Sequence, residues 1–243
     1  MNFTLTSAAN AGVLIECGGT RLLLDGIRRA PFAPFLPTPP QILEQMLSGP
    51  ETSRWRSVDF LLFSHLHPDH FDEEAVRDYL AGNRVREIFA PEWPFAAQGT
   101  ARANAFALAN GGWRDFEIAP GIILRAIGTA HAGEQFASVR NHAYLVATDQ
   151  ARILFVGDGD YVPEWYLPAG HVDALFVNPL FLNSRAMPAL IERLAPETVY
   201  VYHLTRDGED SQSMFYRRVT ERAEKRLPRG LVRRFGAGAK ASF

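Results

Sequence analysis

The sequence predicts an α/β fold in which two strand-rich halves pack sheet on sheet with helices outside. Three observations carry this. Residues 3–25 read as short apolar strands separated by tight turns. Residues 58–90 read as strand, loop, helix and strand, at the length of a parallel crossover. Residues 116–156 are strand-rich again, after which strands and helices alternate. At 243 residues with 47% hydrophobic content, the chain can bury a large core; no repeat, low-complexity block or linker divides it, so residues 1–243 read as one domain.

In order, residues 3–6, 12–17 and 21–25 are strands, the last two joined by Gly18-Gly19, so that Asp25 stands at a strand end. Residues 28–40 carry Pro31, Pro34, Pro37, Pro39 and Pro40 with Phe32, Phe35 and Leu36 between them. Such a loop cannot pair into a sheet; it reads as a stiff surface connection, with an apolar flap over a pocket or an oligomer contact as the alternative. Residues 42–47 are a short helix. Asp72 is placed to cap a helix ended by Gly82, with Glu73 and Glu74 at its positive end. Residues 85–90 are a strand and residues 101–110 a helix stopped by Gly111-Gly112. Strands follow at 116–119, 122–127, 143–147, 153–156, 174–177 and 199–202, with helices at 188–194 and 211–226.

A net charge of −2 excludes a wholly basic nucleic-acid binder and a polyanionic tail, and one cysteine, Cys17, excludes an internal disulfide and a Cys-rich zinc module. Cys17 reads as a small core residue. The first twelve residues lack the charged start and apolar stretch of an export signal, and no run reaches the ~18 apolar residues of a membrane span. The expectation is a soluble cytoplasmic protein without a membrane partner.

The chemistry gathers after the apolar run 58–63, in Ser64-His65-Leu66-His67-Pro68-Asp69-His70, which holds three of the seven histidines. Imidazoles suit zinc and other first-row metals, and carboxylates can bridge two ions. An extended backbone points His65 and His67 the same way, and Pro68 favours that geometry at His67. Further candidates stand where strands end: His131 in Gly-Thr-Ala-His-Ala-Gly, Asp158 in Gly-Asp-Gly-Asp, and His203.

Together, Asp25, the His-x-His-x-Asp-His cluster, His131, Asp158 and His203 resemble, in order and over nearly the whole chain, the motifs of the metallo-β-lactamase superfamily. The resemblance implies a four-layer αβ/βα sandwich with the site at one edge of two face-to-face mixed sheets. Carried over by position, His65, His67 and His131 would hold one divalent metal and Asp69, His70 and His203 a second, with Asp158 bridging and Asp25 supporting the first loop from behind. Zinc is the expected metal, with manganese or iron as alternatives. The implied reaction is hydrolysis of a small ester, lactone or phosphodiester by a hydroxide held between the ions, oriented by Asp69. The compact plan is similar to the ascorbate-6-phosphate lactonase-like branch. The alternatives are a nuclease acting on RNA or DNA, and a non-catalytic metal-binding accessory protein.

Substrate contacts are expected from Arg140, His142, Tyr161 and Arg206, with Asn178 and Asn183 nearby; an anionic substrate would suit Arg140 or Arg206. For His142, a hydrogen-bonded neighbour of the site is favoured over a further ligand. The basic run from Arg217 to Arg234 reads as a solvated face, with a polyanion patch as the alternative. A homo-oligomer is compatible with these features.

Overall fold

The structure, a computed structural model, describes residues 1–95, 101–205 and 208–243. Strands β1 (Phe3–Ala9), β2 (Gly12–Cys17) and β3 (Thr20–Leu24) form an antiparallel meander. Helix α1 (Pro40–Leu47) leads to β4 (Phe60–Leu62), α2 (Glu73–Gly82), β5 (Glu87–Ala90) and β6 (Arg102–Ala105), with β3 to β6 all parallel. The second half begins with antiparallel β7 (Trp113–Ala119), β8 (Ile122–Ala130), β9 (Arg140–Ala147) and β10 (Arg152–Phe155). It continues in parallel through β11 (Ala174–Val177), α3 (Pro179–Asn183), α4 (Met187–Leu194), β12 (Thr198–Val201), α5 (Ser211–Arg226) and β13 (Val232–Arg234). The final strand, β14 (Lys240–Ser242), returns to pair antiparallel with β1.

Two seven-stranded sheets result, in the orders β14-β1-β2-β3-β4-β5-β6 and β13-β12-β11-β10-β9-β8-β7. Each is half antiparallel and half parallel, and they pack face to face. Alternation along the central strands explains why those strands are apolar without a break. Phe60 and Leu62 face the core between the sheets while Leu61 and Phe63 face α1 and α2. Likewise Ile153 and Phe155 point to the partner sheet, and Leu154 and Val156 to the outer helices of the second half. Phe155 stacks on Phe176 at 4.5 Å and Phe176 on Tyr200 at 4.8 Å, so aromatic rings fill the middle of the sandwich. Cys17 is buried in this layer, where desolvation raises its thiol pKa.

Two expectations need correction. Residues 101–110 hold the edge strand β6 and irregular chain rather than a helix. Their alanines favour a helix, but residues 102–105 pair with the open edge of β5, and Phe106 and Leu108 pack on the inter-sheet core, an override of local propensity by tertiary pairing. The short strands β13 and β14 were also not foreseen; both lie in polar, half-exposed chain whose period-2 signal is weak. The basic side chains Arg217, Arg218, Arg222, Lys225 and Arg226 are exposed on α5, while Tyr216, Val219, Thr220 and Ala223 face inward. Among the described residues, no helix is long and apolar enough to cross a membrane.

Candidate metal centre

Every expected ligand follows a strand. His65 to His70 follow β4, His131 follows β8, Asp158 lies just beyond β10 and His203 just beyond β12, so the sandwich delivers all of them to one edge. Sheets of this kind present ligand sites at the carboxyl ends of their parallel strands. His203, and Asp25 at the end of β3, hold an unusual backbone, with φ of 56° and 43°. Such left-handed non-glycine residues persist only where surrounding bonds over-determine them. Here those bonds are Asp25 N–H to the Leu62 carbonyl, 3.0 Å, and His203 N–H to the Asn10 carbonyl, 2.9 Å.

The donors fall into two groups: His65, His67 and His131, and Asp69, His70, Asp158 and His203, with the ligand atoms within each group no more than 4.8 Å apart. In the first, the three imidazole rings form a near-equilateral triangle with centroids 4.7, 4.8 and 4.7 Å apart. In the second, Asp69 Oδ2 lies 3.1 Å from His203 Nε2 and 3.9 Å from His70 Nε2. Asp158 Oδ2 stands between the groups, 3.5 Å from His70 Nε2, 3.7 Å from His203 Nε2 and 3.6 Å from His131 Nε2.

The residues fit a metal. Buried polar atoms almost always find a partner, yet His65 Nε2 and His131 Nε2 are buried without one. Each of these rings is anchored through its other nitrogen: His131 Nδ1 donates to the Ala132 carbonyl at 2.7 Å, and His65 Nδ1 lies 3.1 Å from the Ser64 hydroxyl. Anchoring one nitrogen and aiming the bare one inward is how proteins present imidazole to a cation. His203 Nε2 and His70 Nε2 are only 2.9 Å apart, again two ring nitrogens converging on a common point.

Electrostatics follows from burial and convergence. Burial, reinforced by His70, pushes His65 well below the usual imidazole range, and burial together with His131 lowers His67. Burial would lower His70 as well, but the fields of Asp158 and Asp25 outweigh it and raise His70 well above that range. For Asp158, desolvation opposes the charge, yet His203 and His70 hold the carboxyl far below its ordinary value. For Asp69, desolvation is overcome by the hydrogen bond from His203 and the field of His70. The acids are therefore ionised at neutral pH and His65 is neutral, the states that a divalent cation requires, whereas His70 holds a proton that a bound cation would displace.

Behind the donors stands a brace that is only partly legible in sequence. Asp25 accepts the Ser64 N–H at 2.9 Å, the Ser64 hydroxyl at 2.6 Å and His70 Nδ1–H at 2.9 Å. Asn178 donates to Asp158 Oδ1 at 2.7 Å and accepts from the Tyr161 hydroxyl. Asn141 accepts the Asp158 N–H at 3.2 Å and donates to Thr129 Oγ1 and the Val156 carbonyl. Glycines are needed on both sides of Asp158: a Cβ on Gly157 would lie 2.5 Å from Asn141 Oδ1, and one on Gly159 2.5 Å from Thr129 Oγ1 and 2.8 Å from the Tyr166 hydroxyl. This explains Gly-Asp-Gly in this chain.

Sequence reasoning missed Asn10 and Arg28. Asn10 donates to the Asp69 carbonyl at 2.8 Å, and the buried Arg28 donates to the same carbonyl at 3.0 Å and to those of Leu36 and Ala30 at 3.3 and 3.1 Å. The available signal at Asn10 was its place in a tight turn, where asparagine tolerates positive φ; its φ is 42°. Arg28 gave no local signal, since its partners are remote carbonyls. Its clamp draws residues 28–40 over the site, where Phe35 packs edge-on against His203 at 4.4 Å. The loop is thus a wall of the site, not a remote connection.

That wall encloses a cavity of about 950 Å³ whose floor includes His67, Asp69, His131 and Asp158. Its other sides come from Phe32, Ala33 and Phe35, from Gln135 and Phe136, from Leu180, Asn183 and Ser184, and from Gln212, Phe215 and Tyr216 of α5. Tyr161 lines it too, with burial holding its phenol protonated. Of the other expected contacts, Arg140 is exposed and is not among the lining residues. The expectation for His142 needs correction: it is buried between Phe106 and Tyr144 on the inter-sheet side of β9, with its pKa lowered to about 4 by desolvation and no hydrogen-bond partner on either ring nitrogen. Period-2 alternation turned it inward and put Asn141, its neighbour, against the Asp158 loop. Arg206 lies outside the described residues.

Comparison with known proteins agrees with this geometry. Protein Rv0786c of Mycobacterium tuberculosis is 25% identical over 227 residues, 89% of this chain and 91% of that protein. A provisionally named Rieske 2Fe-2S iron-sulfur protein of Mycolicibacterium smegmatis is 35% identical over 91 residues, 37% of this chain, and the match spans only 16% of that protein's length. Among solved structures, the metallo-β-lactamase fold protein YhfI of Bacillus subtilis superposes with a TM-score of 0.67 at 12% identity, covering 100% of this chain and 99% of that one. An isothiocyanate hydrolase from Delia radicum gut bacteria gives 0.65 at 14% identity, with the same coverage. Residues 4–203 match the Beta-lactamase superfamily domain, and with two mixed sheets carrying a His and Asp donor set at their common edge, the chain belongs to that superfamily and has the metallo-β-lactamase fold.

Proposed function

We propose that the protein is a metal-dependent hydrolase that binds two divalent ions, zinc first among them, and cleaves a small ester, lactone or phosphodiester, within the compact lactonase-like branch of its superfamily. The observation that carries this reading is the position of Asp158 Oδ2, within 3.5 to 3.7 Å of nitrogens from both donor groups, as a shared ligand would be. His65, His67 and His131 would hold one ion and Asp69, His70 and His203 the other. Ions bound there supply Lewis acidity toward a scissile carbonyl or phosphoryl oxygen and bring a water's pKa toward neutrality.

The chain's own residues do the rest. Asp69, ionised and on the cavity floor, is placed to accept a hydrogen bond from the attacking water through its carboxylate and so to orient it. Gln212 and Asn183 offer neutral polar contacts on the cavity wall, while the aromatic side chains around them exclude bulk water. Neither a serine nor a cysteine nucleophile is required, and the buried Cys17 thiol lies in the inter-sheet core.

Elemental analysis is expected to find about two divalent ions per chain. Asp158→Ala is expected to lose bound metal and to lower hydrolysis at least ~100-fold, because the shared ligand and its buried counter-charge vanish together. Full turnover by metal-free protein, or by the Asp158→Ala variant, would sink the reading.

A further inference from the structure

The cavity above the metal centre has an unusual wall for a site read as favouring anions. Three of its side chains, Phe32, Phe136 and Phe215, are 43%, 38% and 39% exposed, and they are among the few large apolar side chains that the described residues leave open to solvent. Scattered exposed aromatics need no explanation, but several converging on one concave opening mark a binding surface. They come from three separate segments, the 28–40 loop, the loop after His131 and α5, so no single helix or strand pattern accounts for their meeting.

Charge points the same way. Among the described residues no lysine or arginine lines the cavity, whereas Asp160 adds a third carboxylate to Asp69 and Asp158. Two arginines of the loop that walls the cavity are committed elsewhere: Arg28 is buried on the carbonyls of Ala30, Leu36 and Asp69, and Arg29 pairs with Asp78 at 2.6 Å. Two divalent ions would carry four positive charges against the two negative charges of Asp69 and Asp158, an excess that serves the reacting group on the floor; among the described lining residues the remaining carboxylate, Asp160, disfavours a second negative charge on the substrate away from that group.

The geometry points to a substrate that is uncharged away from its reacting group, with a distal aryl or branched alkyl portion that sits among Phe32, Phe136 and Phe215, in preference to any substrate with a distal anionic group. This rests on the hydrolase reading for the reaction but not for the recognition. Within the ester, lactone and phosphodiester classes it selects members whose distal portion is apolar and uncharged.

Recognition is tested separately from turnover with the metal-loaded full chain. Two non-hydrolysable anilides of matched length, one ending in phenyl and one in carboxylate, are titrated calorimetrically, and the corresponding p-nitrophenyl esters are assayed for hydrolysis. The phenyl-ended anilide is expected to bind at least about tenfold more tightly. Phe32→Ala and Phe215→Ala, which remove no candidate ligand and are already partly exposed, are each expected to weaken it about three- to tenfold while weakening the carboxylate-ended anilide less. Equal or tighter binding of the carboxylate-ended anilide, or no binding of either, would overturn the inference. If the phenyl-ended anilide binds as expected but neither ester is cleaved, recognition stands and the hydrolase reading is what fails.

Discussion

At Ser64 one side chain serves two histidines. Its hydroxyl donates to Asp25 and lies 3.1 Å from His65 Nδ1, while Asp25 also takes His70 Nδ1–H, so one serine and one aspartate set the orientation of a ring in each donor group. Loss of such supporting hydrogen bonds typically costs ten- to a hundredfold in metal affinity without removing a ligand. Ser64→Ala keeps the Cβ and the fold, and is expected to weaken zinc binding by about that factor in competition with a fluorescent chelator. Wild-type affinity in that variant would show that the Ser64 hydroxyl is not needed to position His65, with Asp25 still holding His70.

At the scale of the element, Asp72 joins α2 to the loop that forms the cavity wall. One carboxylate oxygen caps α2 through the Ala75 N–H at 3.0 Å; the other takes the N–H groups of Arg29 and Ala30, both at 2.8 Å. Burial opposes this charge, but the three backbone donors prevail and depress the pKa. A carboxyl depressed in the folded state stabilises fully above its unfolded pKa of ~3.9 and loses that stabilisation as pH falls through the folded value. Asp72→Ala is therefore expected to cost about 1 to 2 kcal/mol at pH 7, with a difference from wild type that shrinks in urea melts below about pH 4. A difference that stays constant across that range would mean that the cost comes from packing and not from the charge. The same scale holds the one misread helix: residues 101–110 were helical by composition, and the open edge of β5 made part of them a strand.

For the molecule as a whole, the site is the place where both sheets end, so metal occupancy should couple to the stability of the sandwich. Four acidic or basic donors, Asp69, His70, Asp158 and His203, lie with side chains 13% exposed or less, and a cation there replaces their mutual strain with ligation. Metal at 100 to 1,000 times its dissociation constant would add roughly 3 to 4 kcal/mol. For a chain of this size, chelation is then expected to lower Tm by about 5 to 15 °C in differential scanning calorimetry, and re-addition of zinc to restore it. A Tm indifferent to chelation would argue against a resident ion.

Local chemistry was enough for the sequence to announce the donor set and the alternating architecture. His65 and His67 are two apart on extended chain before a proline, and apolar runs that end at His, Asp and His residues mark strands feeding one edge. What only the tertiary structure decided depends on long-range partners. Arg28 was an ordinary loop arginine until the carbonyls of Asp69 and Leu36 met it; His142 was a candidate contact until strand alternation turned it into the core; Phe32, Phe136 and Phe215 carry no shared signal until three segments converge. The type and spacing of residues are written in the chain, whereas which charges are already neutralised, and which rings face a common cavity, exist only after the sheets have packed.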